Sequence, residues 1–375
     1  MDFKPDFERI RKTVRHEEPD RVPLCEVLIE YPVQSQFLGR EVTSDDLESQ
    51  VEFWYRAGYD CIPITVSMMA FGKVTEESAI SKVIKEVMLA DSPDAEKETS
   101  WSLEYTSFIN DRADFERFPW EELEKTDLSK LYEVKDILPE GMKVIAVSGK
   151  IFTLTWMLMG FNNFAIKLIM DEQLIADIFR KVAEIQFQAL EKIFEMPYVG
   201  AVWVVDDLAF GTGPMISPQA FRDHVFPWYR EMARRCHKND LLFFMHSDGN
   251  LMPLMEDLID LGVDVLQPID PTCLDIIKVK EIYGDRLCLV GNVPNELLRS
   301  GTPNEVESLV KRLIKRCGPG GGYCVGSGNS VPEWAKFENY MAMRETVLKY
   351  GSYPVSYTHL RAHETRHDLV CRLLL

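Results

Sequence analysis

The chain has 375 residues, 46% of them hydrophobic and 27% charged, which allows one large domain or two medium ones with a sizeable core. Its formal net charge of −18 argues against nucleic acid, whose phosphates need clustered Lys and Arg, and against a polyanionic small molecule. The opening MDFKPDFERIRKTVRHEEPDR is too charged for a signal peptide, no apolar run reaches the length of a membrane span, and the eight cysteines contain no CxxC; the expectation is a cytoplasmic protein with reduced thiols.

In chain order, apolar runs that each end in polar residues appear at 22–30 (VPLCEVLIE) and 60–67 (DCIPITVS). Residues 72–140 are acidic, with the alternating TSWSLEYTSF and then the helix-like EELEKTDLSKLYEV, and read as an insertion of short strands and loops. Six further runs follow at 143–150, 201–208, 241–250, 263–270, 286–293 and 321–329. Uninterrupted runs of this kind suit parallel strands covered on both faces.

Helical patterns alternate with the later runs. Residues 161–194 repeat apolar side chains near 3.6, and 217–240 opens with Ser217 as N-cap and Pro218 in the first turn. Gly262 and Gly318 read as helix stops, and 331–351 as a closing amphipathic helix. Eight such units predict a TIM (β/α)8 barrel within residues 1–354. A doubly wound sheet is the alternative, weakened because no GxGxxG follows an early strand.

A TIM barrel builds its active site at the C-terminal strand ends. Those ends carry Glu26, Thr65, Ser67, Ser148, Asp206, Asp207, His246, Asp248, Gln267, Asp270, Asn292, Ser327 and Asn329. Carboxylates and amides with one imidazole, and no arginine, suit a divalent ion or acid/base chemistry. Bland readings stand beside this one. Asp248-Gly249-Asn250 can be a turn, His246 a satisfied core residue, and Asp270 a turn residue beside Pro271. Side chains alternate along a strand, so at most one of Asp206 and Asp207 faces the site. Glu26 lies inside VPLCEVLI, where an unpaired carboxylate is costly.

The runs DDLAFGTGPMISPQAFRDHVFPWYREM, FFMHSDGN, LIDLGVDVLQPID, LVGNVPN and GGGYCVGSGNSVP, with VRHEEPDRVPLCEVLI and LMGFNNF, resemble the uroporphyrinogen decarboxylase superfamily over nearly all of residues 5–351. The resemblance implies a TIM barrel and one of two chemistries. The decarboxylases act without a cofactor on an octa-anionic tetrapyrrole, using an arginine-rich loop after the first strand and an Asp after the second. Here LIEYPVQSQFLG has no Arg before Arg40, and ITVSMMAFG has no acid. The methyltransferase branch exchanges methyl groups with a cobalamin-binding corrinoid protein. Its thiol-specific members hold zinc with His-x-Cys and a later Cys; here those places read His246-Ser247-Asp248 and Asn329.

The chain is more similar to relatives that demethylate methyl ethers or comparable donors. That likeness implies catalytic roles for Asp206 or Asp207, His246 and Glu26. It implies a metal, with zinc the candidate, on His246, Asp207, Glu26 and Asp248, or Asp248 in support of the imidazole. Ser148, Trp156, Gln267, Asn292, Ser327 and Asn329 would line the substrate, with Met68, Met69 and Phe210 shaping the pocket. A corrinoid protein would be the methyl-accepting partner. The alternatives are a decarboxylase and a non-catalytic binding barrel.

The histidines of THLRAHETRHD, His359, His363 and His367, share one helical face and suggest a metal site. The resemblance stops near Gly351, however, and VSYTHLRAHET followed by LVCRLLL resembles a translated transposon-type sequencing adapter. Residues 355–375 are therefore expected to be an assembly artefact, with the natural C-terminus missing or truncated near residue 354.

Overall fold

The computed structural model describes residues 3–66, 107–124 and 126–353. Its main sheet has seven strands in chain order: β1 (Cys61–Thr65), β2 (Lys143–Val147), β3 (Val199–Val205), β4 (Leu242–His246), β5 (Val265–Gln267), β6 (Cys288–Val290) and β7 (Tyr323–Cys324). Every neighbouring pair is parallel. Helices cover the outer face, so the strands are buried on both sides and read as continuous apolar runs.

The eighth position of the barrel departs from expectation. Residues 22–30 form parallel bridges beside β7, Leu24 with Val325 and Ile29 with Val331, but no regular strand. The Cys25 amide donates to Val325 O at 3.0 Å and Val325 N to Pro23 O at 2.9 Å. Pro23 has no N–H of its own to extend the ladder. Gly326 lets the two segments approach, because a Cβ there would lie 2.3 Å from the Cys25 carbonyl oxygen.

Two apolar cores flank the strands. The outer one joins Val144, Ala146, Val202, Val204, Phe243 and Met245 to the helices. The inner one collects Cys25, Val27, Cys61, Ile145, Val147, Ala201, Trp203, Phe244, Val265, Cys288, Val290 and Cys324, so all eight positions fill the barrel. Phe7 and Ile10 of the helix Phe7–Val14 plug its base. Asp60 anchors that plug. Fully buried, it accepts from the Asp6 amide at 3.0 Å and from the Arg9 guanidinium, with Arg21 Nη2 3.6 Å away. Burial pushes its carboxyl up to about 6 against the pull of the two arginines.

The expected helix 161–194 is two helices, Phe161–Met170 and Glu172–Phe194. Asp171 breaks the run, and its carboxylate caps the second helix at Leu174 N, 3.3 Å away. Ser217 caps as expected, accepting from Ala220 N at 3.1 Å, with Pro218 in the first turn. The described part of the insertion holds three short helices, Arg112–Arg117, Trp120–Leu123 and Ser129–Val134. Most of TSWSLEYTSF, with Ser67, Met68, Met69 and the tail after residue 354, lies outside the described residues. Among the described residues, no helix is long and apolar enough to cross a membrane.

Candidate functional site

Strand parity sorts the aspartates after β3. Ala201 and Trp203 face the barrel interior and Val202 and Val204 the helices. Continuing that alternation turns Asp206 outward and Asp207 inward. Asp206 is fully buried and caps the start of the helix Phe152–Met159. Its carboxylate accepts from Ile151 N at 2.8 Å, from Phe152 N at 2.7 Å, from Thr153 N at 2.7 Å, and from the Tyr229 hydroxyl. Burial pushes its pKa up, opposed by the bonds from Thr153 and Tyr229. The expected catalytic role does not fit these contacts, because the described bonds of the Asp206 carboxylate run to the helix start and to Tyr229, and only its backbone amide reaches His246, donating to the His246 carbonyl at 3.0 Å.

Asp207 and Asp248 come together with His246. The Oδ1 atoms of both aspartates lie 4.0 Å from His246 Nε2. One ligand atom from each of the three residues falls within 4.8 Å of the others. The His246 ring is buried on the inward side of β4, while Asp207 is half exposed. Asp207 Oδ1 also accepts the Asp248 amide at 2.9 Å. Desolvation pushes the Asp248 carboxyl up to about 6; His246 works against that rise, and Asp207 and Asp270 add to it.

Local contacts hold the His246–Asn250 loop in place. Ser247 Oγ accepts from Leu208 N at 2.9 Å, tying it to the end of β3. Asp270 Oδ2 accepts from Gly249 N at 3.1 Å, while its Oδ1 accepts from Thr272. Gly249 has φ of 88°, and a Cβ there would lie 2.4 Å from Ala209 O. Only glycine lets this loop pass under the hairpin of Ala209–Phe210 and Gly213–Pro214. The turn expected at Asp248-Gly249-Asn250 is present, and it leaves the Asp248 side chain beside His246.

The other expected site residues divide. Gln267 and Asn329 join the cluster: His246 Nδ1 is 2.5 Å from Gln267 Oε1, Gln267 Nε2 donates to Asn329 O, and Asn329 Nδ2 donates to Asp248 Oδ2. Glu26 does not join it. It alternates with the inward Cys25 and Val27, and its carboxyl accepts from Ser327 N and Ser327 Oγ, both at 2.6 Å. It influences the buried Tyr59 and Tyr340 of the outer core electrostatically. Burial pushes its carboxyl up to about 8. Glu26 therefore stands apart from the Asp207–His246–Asp248 cluster, and Ser327 bonds to Glu26.

Ser148 faces Gln186 Oε1 at 3.5 Å, and Asn292 Nδ2 donates to Ile269 O at 2.9 Å. Trp156 packs edge-on to Phe161, and Phe161 edge-on to Phe210, with centroids 5.8 and 6.3 Å apart. Sequence reasoning missed Tyr229. Its place in the buried stripe with Met232, Ala233 and Cys236 marks it as core, and a buried phenol needs a polar partner, which here is Asp206.

A model of the uroporphyrinogen decarboxylase (URO-D) family matches residues 104–350. The chain belongs to the URO-D family. Among solved structures, this URO-D protein is similar to a methyltransferase from Methanosarcina mazei, with a TM-score of 0.65 and 16% identity over 92% of this chain and 99% of that one. At that identity the likeness shows a shared fold. A sugar phosphate isomerase/epimerase from Parabacteroides distasonis gives a TM-score of 0.38 at 11% identity, over 90% of this chain and 98% of that one, and carries no argument. No curated protein sequence matches this URO-D protein.

Proposed function

We propose that this URO-D protein is a methyltransferase that moves a methyl group from a small donor, a methyl ether or similar, to the corrinoid of a partner protein. The observation that carries the reading is the Asp207–His246–Asp248 cluster on the loops that follow β3 and β4. One imidazole nitrogen and two carboxylate oxygens suit a divalent ion, with zinc the candidate. Such an ion supplies Lewis-acid assistance to a departing oxygen. His246 and the two aspartates would hold it, and Asp207, the most exposed of the three, would lie nearest the donor. In the overall reaction the C–O bond of the donor breaks, the corrinoid accepts the methyl group, and the oxygen leaves as an alcohol after taking up a proton. A fold shared with a methyltransferase supports this choice.

Family membership also favours a second reading, removal of carboxyl groups. A polyanionic substrate needs cationic partners. Among the described residues, Asp207, Asp248 and Asp270 form no ion pair with Lys or Arg, and the strand ends offer no Arg. That charge pattern disfavours a polycarboxylate. Elemental analysis of purified protein and methyl transfer to a supplied corrinoid protein test the proposal. Bound divalent metal in wild type, and loss of both metal and transfer in His246→Ala, are expected. Metal-free wild type with transfer unchanged in His246→Ala would refute it.

A further inference from the structure

We propose that Gln267 and Asn329, the residues expected at sequence level to touch substrate, are instead positioning residues that present the His246 Nε2 lone pair and the Asp248 carboxylate to one point. The argument begins with Gln267, which is fully buried. Its Nε2 donates to the Asn329 carbonyl, which can only accept. That contact fixes which end of the amide is oxygen. Gln267 Oε1 then faces His246 Nδ1 at 2.5 Å, and an amide oxygen can only accept. In the neutral ring the His246 proton therefore sits on Nδ1, leaving the Nε2 lone pair on the side of Asp207 and Asp248.

Asn329 closes the circuit. Its backbone carbonyl holds Gln267 while its side-chain Nδ2 holds Asp248 Oδ2, leaving Asp248 Oδ1 on the His246 side. The four residues come from the ends of β4 and β5 and from the loop after β7. Three strand ends are thus locked together by two amides, the kind of outer hydrogen bonding that orients metal-binding imidazoles. The amide of Gln267 uses one donor and its inward acceptor in this circuit, and its full burial keeps it from substrate.

The choice of divalent cation as ligand rests on the proposed function, whereas the tautomer does not. The test uses the full chain with 15N-labelled histidine, in wild type and in the variants Gln267→Leu and Gln267→Glu. Nitrogen shifts of the neutral rings read the tautomer, and calorimetric titration with Zn2+ and Co2+ reads affinity. Wild type should carry the His246 proton on Nδ1. Gln267→Leu should populate the Nε2–H form and bind either ion about 10- to 100-fold more weakly. Gln267→Glu keeps an acceptor facing Nδ1 but gives up the donor to the Asn329 carbonyl, and should keep the Nδ1–H ring and bind either ion more tightly than Gln267→Leu; a merely structural role for Gln267 would not distinguish the two variants. A wild-type proton on Nε2, or equal affinity in Gln267→Leu, overturns the proposal. Uptake of neither ion by wild type refutes the metal reading, and the proposal then stands or falls on the tautomer alone.

Discussion

Replacing Glu26 by Gln should change how stability depends on pH. In the folded chain burial raises this carboxyl from 4.5 to about 8, because the ionised form is desolvated, while the two bonds from Ser327 oppose the rise. A folded value above the unfolded one contributes stability that is fully present below pH 4.5 and is lost as pH climbs through about 8. At about 1.4 kcal/mol per factor of ten, the full span amounts to about 5 kcal/mol, of which about 3 kcal/mol is gone by pH 7, both upper bounds. Glutamine cannot ionise and keeps one acceptor oxygen for Ser327.

Well below pH 4.5 the variant should therefore lie about 1 kcal/mol below wild type, through one weakened hydrogen bond, and by pH 5 it should be nearly level with wild type. It should then gain on wild type steadily toward pH 8 and level off above. Urea melts followed by circular dichroism at half-unit pH intervals measure this, and subtracting the two curves removes the other acids. A flat difference from pH 5 to 9 would refute the reasoning, as would a difference that moves against the variant.

Asp206→Ala should cost several kcal/mol, since three buried amides lose their acceptor at about 1–3 kcal/mol each; Asp207→Asn should shift stability by less than about 0.5 kcal/mol yet weaken Zn2+ binding, and thermal melts with metal titration separate the two. Affinity for Zn2+ should fall as pH drops through about 6, where protonation removes Asp248 as a ligand, an outcome read by titration from pH 5 to 8. Asp60→Ala should cost about 3–5 kcal/mol by leaving the buried Arg21 without its ion-pair partner in the base of the barrel, while Arg9 keeps Asp20, seen as a lower denaturation midpoint. Gly326→Ala should prevent closure at the eighth position, since its Cβ would overlap the Cys25 carbonyl, and should appear as a loss of soluble folded protein.

The contrast between Asp206 and Asp207 shows where sequence reading stops. Alternation alone says that one of them turns away. Which one depends on whether Trp203 or Val204 faces the barrel axis, and both are fully buried because a parallel barrel has two apolar faces. Glu26 fails for a related reason. A carboxylate inside VPLCEVLI signals a buried polar site, but the same signal arises from an acid paired with Ser327 in a distant part of the chain. The break at Asp171 was legible as an N-cap residue inside a helical pattern, and the apolar period masked it. His246 and Asp248 were legible because they follow directly on the apolar run of β4, at the end of the strand where a barrel gathers its polar groups.

Local pattern by itself determined the architecture: alternating apolar runs and amphipathic helices, with polar residues gathered at one end of each strand. Those features depend on neighbours in the chain, and periodicity records them directly. Only the tertiary structure decided that Asp207 rather than Asp206 joins His246, that Glu26 stays apart, and that Gln267 and Asn329 bond to His246 and Asp248. Each of those outcomes depends on register between strands dozens of residues apart, and a shift of one residue would turn every side chain to the opposite face.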